Sequence, residues 1–152
     1  MTKFAFGLTN VSPVFSKKSA RFVGGVSAGG YASILYGLKY PELFSRIGGH
    51  MPAVESQLEL ADLPYYGTVE EFNSNNPLYF KSFNDKHKEQ LWYLDAGSCD
   101  EGGFDESVRE ISKVFQKHGI NFESHIFEGH HNLEYIKQNI RNYLIFYGTI
   151  DK

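Results

Sequence analysis

Cysteine is nearly absent: Cys99 alone stands among 152 residues. No disulfide can therefore close within the chain, which fits a reducing compartment. An excess of charge of one sign is also missing, since 15 Lys and Arg against 18 Asp and Glu leave a net charge of −3. That balance lacks the basic footprint of a nucleic-acid or anionic-membrane binder. No apolar run approaches the roughly 20 residues that cross a bilayer. The segment Met1 to Leu8 carries one lysine and a brief apolar patch before turning polar at Thr9-Asn10, too short a pattern for a signal peptide. These absences predict a cytoplasmic protein with neither a nucleic-acid nor a membrane partner. Repeats and low-complexity stretches are missing too, so residues 1–152 are expected to form a single domain around one core.

What is present is an alternation of strand and helix patterns. Arg21 to Val26 is a short apolar run, and Ala28 to Tyr40 places Tyr31, Ile34, Leu35 and Leu38 at helical spacing before Pro41. Phe44 to His50 reads as a second strand and Gln90 to Asp95 as a third. Phe104 to His118 is an amphipathic helix with Val108, Ile111, Val114 and Phe115 on one face, closed by Gly119. Asn121 to Phe127 alternates as a fourth strand, and Leu133 to Tyr147 as a last helix. Between residues 52 and 88 the pattern is less regular, with a helix expected at Glu55 to Leu63, a turn at Pro64 to Gly67 and a helical stretch near Asn76 to Phe83. Strands separated by helices imply an α/β fold with about four parallel strands. In such sheets function gathers at the carboxyl ends of the strands, where Ser27, His50, Asp100 and His130 stand.

Gly25-Val26-Ser27-Ala28-Gly29, between the first strand and the first helix, has the form of a nucleophile elbow: a tight turn that lifts the serine hydroxyl clear of the sheet. A pattern this short arises by chance in about one chain in twenty of this size, so its partners decide its meaning. Two rivals fail: a dinucleotide fingerprint needs glycine where Ser27 stands, and a P-loop needs Lys-Ser/Thr where the chain has Gly30-Tyr31. The third strand leads into Asp95-Ala96-Gly97-Ser98-Cys99-Asp100-Glu101, in which Asp100 is placed to orient a histidine. Asp95 reads as a holder of loop amides, and Glu101 and Asp105 as solvent-facing or helix-start acids. Glu128-Gly129-His130-His131-Asn132 follows the fourth strand. His130, preceded by glycine, is the expected base, with His131 its competitor, otherwise a polar residue at the helix start. His125, Glu128, His130 and His131 match no zincin spacing, so no metal is expected.

The order Ser27, Asp100, His130 is that of the α/β-hydrolase fold. From Ala20 to Tyr31, through Tyr40-Pro41-Glu42-Leu43-Phe44, Leu94 to Asp100 and Glu128-Gly129-His130, the chain resembles the putative esterase family of α/β-hydrolases, which contains esterase D-like, enterochelin and feruloyl esterases. In that family Gly-Gly-His is usual where Glu-Gly-His-His stands here. The resemblance covers residues 18 to 147 and implies a truncated α/β-hydrolase fold, the carboxyl-terminal part of the usual domain. It implies a serine carboxylesterase acting on small acyl or carbohydrate-linked esters without a cofactor, with a Ser27-His130-Asp100 triad and the Ala28 amide as one oxyanion donor. His50, Tyr65, Tyr66 and Trp92 are the expected substrate-binding residues. The expected open sheet edge predicts a homo-oligomer. The alternative from another class is a catalytically impaired hydrolase-like module that binds a ligand or partner.

Overall fold

The computed structural model describes residues 17–148; the segment from Met1 to Leu8 lies outside them. Four strands, β1 (Phe22–Val26), β2 (Arg46–His50), β3 (Leu91–Gly97) and β4 (Asn121–Phe127), pair in chain order and all in parallel. The connections are α1 (Ala28–Lys39) after β1, an irregular segment after β2, α5 (Phe104–His118) after β3, and α6 (Leu133–Gly148) after β4. The irregular segment holds three short helices, α2 (Leu63–Tyr66), α3 (Val69–Asn75) and α4 (Asp85–Lys88), and 3₁₀ turns at Leu60–Asp62 and Pro77–Tyr79. Among the described residues, β1 has a neighbouring strand on one side only.

The two faces of the sheet are built from different chemistry. On one, α1 and α5 cover Ile47, Trp92, Leu94 and Ala96, all buried with Ile34, Leu38, Val108, Ile111 and Phe115. α1 approaches so closely that a β-carbon at Gly37 would lie 2.6 Å from the Trp92 ring and from Ile47, so the small residue is required there. Trp92 also packs edge-on to Phe115 with ring centres 4.8 Å apart. On the other face α6 lays Tyr143 and Phe146 against Tyr93, and the Tyr147 hydroxyl occupies the space that side chains at Gly24 and Gly48 would need.

The four strands, α1, α5 and α6 fall where the sequence pattern puts them, each within two residues at every boundary, with β3 reaching Gly97 rather than the expected Asp95. Gly119, at φ 66°, terminates α5 in the left-handed region. The segment from 52 to 88 departs from expectation. Instead of a helix over Glu55 to Leu63, that span holds a 3₁₀ turn at Leu60–Asp62 and the first residue of α2, and the expected turn at Pro64 is helical because proline fits the first turn of α2. α3 precedes the expected stretch near Asn76. It starts at a reciprocal capping box, in which Thr68 accepts from the Glu71 amide and Glu71 accepts from the Thr68 amide.

Candidate active site

Ser27 occupies the single-residue turn between β1 and α1 at φ 57° and ψ −121°, a region that L-residues rarely adopt. Neighbouring backbone holds it there. Its N–H donates to the His50 carbonyl at 2.9 Å, and its carbonyl accepts from Tyr31 and Ala53, each at 3.0 Å. The turn also needs a close approach: a β-carbon on Gly25 would lie 2.4 Å from the carbonyl carbon and oxygen of Gly29.

The carboxyl ends of β3 and β4 bring two loops to this serine. They lie against each other, with Ser98 N–H donating to the Phe127 carbonyl at 2.8 Å and Cys99 N–H to the Gly129 carbonyl at 2.9 Å. Gly97 allows this contact, because a side chain there would meet the Gly129 carbonyl at 2.3 Å. The resulting register sets Asp100 beside His131. Asp100 Oδ1 accepts the Gly102 N–H at 2.9 Å, and its fully buried carboxylate presents Oδ2 to His131 Nδ1 at 2.8 Å. His131 Nε2 lies 3.0 Å from Ser27 Oγ. An ionised carboxylate only accepts, so Nδ1 carries the proton and the neutral ring leaves Nε2 to accept from the serine hydroxyl. Phe104 packs edge-on to the imidazole, ring centres 5.2 Å apart.

The histidine that reaches Ser27 is therefore His131, and the expectation for His130 is corrected by one position. Gly129, at φ 152°, turns the chain so that His130 points outward, where its Nδ1–H donates to Glu101 Oε1 at 2.7 Å. Glu101 is not merely solvent-facing, since Oε2 accepts the His131 backbone N–H at 3.0 Å. Among the described residues, Asp95 holds no loop amide. It is fully buried under α6, where Oδ1 accepts from His50 Nδ1 at 2.7 Å and Oδ2 from the Tyr135 and Tyr143 hydroxyls at 2.8 and 2.7 Å.

Two of the four expected substrate contacts are likewise corrected. The His50 side chain is buried between Asp95 and the Tyr147 hydroxyl, and only its carbonyl serves the elbow. Trp92 is a core residue, 1% exposed, on the α1–α5 face. Tyr65 and Tyr66 lie on α2, and the Tyr66 hydroxyl donates to the Ala53 carbonyl at 3.1 Å, next to the Ala53 amide that binds Ser27. Ala28 is the first residue of α1, and its position is exposed. Among the described residues, no group of three or more His, Cys, Asp or Glu is arranged to hold a metal, and no helix is long and apolar enough to cross a membrane.

Four parallel strands with a strained serine turn after the first, and acid and histidine loops after the third and fourth, define an α/β-hydrolase fold. The chain belongs to the family described as Putative esterase, whose model matches residues 10–147. Its fold is similar to that of an S-formylglutathione hydrolase from Staphylococcus aureus, at 16% identity and TM-score 0.75, over 97% of this chain and 62% of that one. It is similar to a ferulic acid esterase at 17% identity and TM-score 0.79, over 99% and 59% of the two chains. An S-formylglutathione hydrolase from Agrobacterium tumefaciens aligns at 14% identity and TM-score 0.75, over 95% and 53%. The chain thus spans less than two thirds of the length of these solved structures. No curated protein sequence matches it.

Proposed function

We propose that this chain is a serine carboxylesterase acting on small acyl or carbohydrate-linked esters, with Ser27 as nucleophile, His131 as general base and Asp100 as its orienting acid. What carries the reading is one continuous series of hydrogen bonds: Ser27 Oγ to His131 Nε2 at 3.0 Å and His131 Nδ1 to Asp100 Oδ2 at 2.8 Å, starting from a serine held in a strained turn. As Ser27 Oγ attacks the ester carbonyl, its proton passes to Nε2, and the buried Asp100 carboxylate stabilises the imidazolium. The Ala28 N–H, at the start of α1, donates to the oxyanion. Collapse of the tetrahedral intermediate breaks the C–O bond and returns the proton to the leaving alcohol. Water then attacks the acyl-serine by the same route and releases the acid. Tyr65 and Tyr66 are the substrate-contacting candidates on this reading.

The test is labelling by a fluorophosphonate and hydrolysis of p-nitrophenyl acetate. Ser27→Ala is expected to abolish labelling, and His131→Ala to lower kcat by about 10⁴-fold or more. His130→Ala is expected to cost only a few-fold. No labelling of folded parent protein would sink the proposal and favour a binding module. A His130→Ala loss matching that of His131→Ala would move the base back to His130.

Self-association belongs to the same proposal. The outer edge of β1 offers unpaired backbone among the described residues, Val26 on it is 41% exposed, and Ile140 and Leu144 on α6 are 47% and 66% exposed. Open edges and apolar surfaces of this kind favour pairing with a second copy. Light scattering after gel filtration is expected to give a mass above that of one chain, and Val26→Lys to lower it.

A further inference from the structure

The acid loop carries two adjacent carboxylates, and the histidine loop two adjacent imidazoles. Asp100 Oδ2 takes the side chain of His131 at 2.8 Å, and Glu101 Oε1 takes that of His130 at 2.7 Å. A third contact joins the two pairs, the His131 backbone N–H donating to Glu101 Oε2 at 3.0 Å. We propose that Glu101 is a positioning residue for His131, clamping the base through its backbone while His130 aims the clamp. The inference rests on the reading of His131 as the base of Ser27.

The geometry gives each atom a separate task. Asp100 and Phe104 act on the imidazole ring, but the direction of the Cα–Cβ bond is set by the backbone. That backbone follows Gly129, at φ 152°, and precedes the turn in which Asn132 caps α6 through the Tyr135 amide. At this junction between strand and helix, the Glu101 carboxylate supplies the acceptor that the His131 amide would otherwise find only in water. An anion accepting a backbone N–H forms one of the stronger hydrogen bonds. The His130–Glu101 pair taken alone would mean little, since both side chains are more than half exposed and surface ion pairs contribute little to stability. Its consequence is orientation: with Oε1 engaged by His130, Oε2 faces the amide. The bonds to Glu101, that from the His131 amide foremost, hold its carboxyl below the ordinary carboxylate range.

Three variants of the full chain test the clamp. Glu101→Ala removes both contacts. Glu101→Gln keeps a neutral oxygen able to accept the His131 amide. His130→Ala removes the aiming partner alone. Because displacing a catalytic group by about 1 Å costs on the order of 10²-fold, Glu101→Ala is expected to lower kcat for p-nitrophenyl acetate about 10- to 100-fold with little change in KM. Glu101→Gln should recover most of that loss, and His130→Ala should cost only a few-fold. A second readout does not need turnover. In ¹⁵N-histidine-labelled protein the His131 Nδ1–H, bonded to buried Asp100, is expected to give a low-field proton signal that survives in Glu101→Gln and is lost in Glu101→Ala while thermal melting stays that of the parent. An unchanged kcat in Glu101→Ala, a Gln variant as slow as the Ala variant, or an unchanged Nδ1–H signal in Glu101→Ala overturns the proposal. If the parent hydrolyses no ester, the esterase reading fails and the proton signal alone decides the clamp.

Discussion

A methyl group added at Gly25 would lie 2.4 Å from the carbonyl carbon and oxygen of Gly29, whereas one added at Gly29 meets nothing within 4 Å. The two glycines of the elbow pattern therefore have different tasks: the first lets strand and helix pass, and the second sits open at the start of α1. Gly25→Ala is expected to destabilise the fold by about 2–4 kcal/mol, as forced overpacking against backbone does. Gly29→Ala should be neutral or stabilise by up to about 1 kcal/mol, since alanine is the better helix former. Urea unfolding of the two variants checks the contrast; equal losses would refute it. The elbow was legible in the sequence because its chemistry is local. The choice between His130 and His131 was not, because two neighbouring residues differ only in which way one glycine turns the chain. The Gly-His pair points to His130, while the position of Gly129 at φ 152° and the outward hold of Glu101 on His130 turn His131 to the serine. Glu101 gave no local signal at all, since its partners lie 29 and 30 positions away.

At the scale of elements, α6 is fixed to the sheet by a buried polar knot. Asp95 on β3 gathers the His50 imidazole from β2 and the Tyr135 and Tyr143 hydroxyls from α6, and His50 in turn meets the Tyr147 hydroxyl at 3.0 Å. A buried carboxylate is tolerated because donors surround it, and removing it strands those donors. Asp95→Ala is expected to cost about 3–5 kcal/mol, and Tyr143→Phe about 1–2 kcal/mol. A double-mutant cycle in chemical denaturant should find the two losses strongly coupled; additive losses would show that the hydroxyl does not depend on the carboxylate. Asp95 ends a legible strand, yet its role was invisible because its partners come from β2 and α6, 40 to 48 positions away. The long amphipathic helices and apolar strands were readable for the opposite reason, since their periodicity is internal. In the segment from 52 to 88 the Thr68–Glu71 capping box was a usable helix signal. What hid α3 is its length, with a single buried anchor in Phe72.

For the molecule as a whole, the two faces of the sheet respond differently to alkali. The α1–α5 face is mostly aliphatic and aromatic carbon, while the α6 face and the wall beside the elbow depend on neutral tyrosines. Burial first, and the Asp95 carboxylate after it, pushes Tyr93, Tyr135 and Tyr143 well above the ordinary tyrosine range, and Tyr147 follows for the same reasons. Tyr66, desolvated beside Glu55, is pushed up to about 12. The folded state thus keeps protons that the unfolded chain releases near pH ~10. A raised folded value means that this stabilisation is complete below pH ~10 and is lost as pH rises through the folded values. The denaturant midpoint is therefore expected to hold below pH 10 and to fall steadily between about pH 10 and pH 12. Tyrosinate absorbance from the buried rings should rise together with the loss of near-ultraviolet circular dichroism, because those rings ionise only when the α6 face opens. Tyr135→Phe and Tyr143→Phe remove two of the titrating groups and should flatten the decline, although both start less stable. Full ionisation of the buried tyrosines in protein that keeps its near-ultraviolet signal would refute this account of the α6 face.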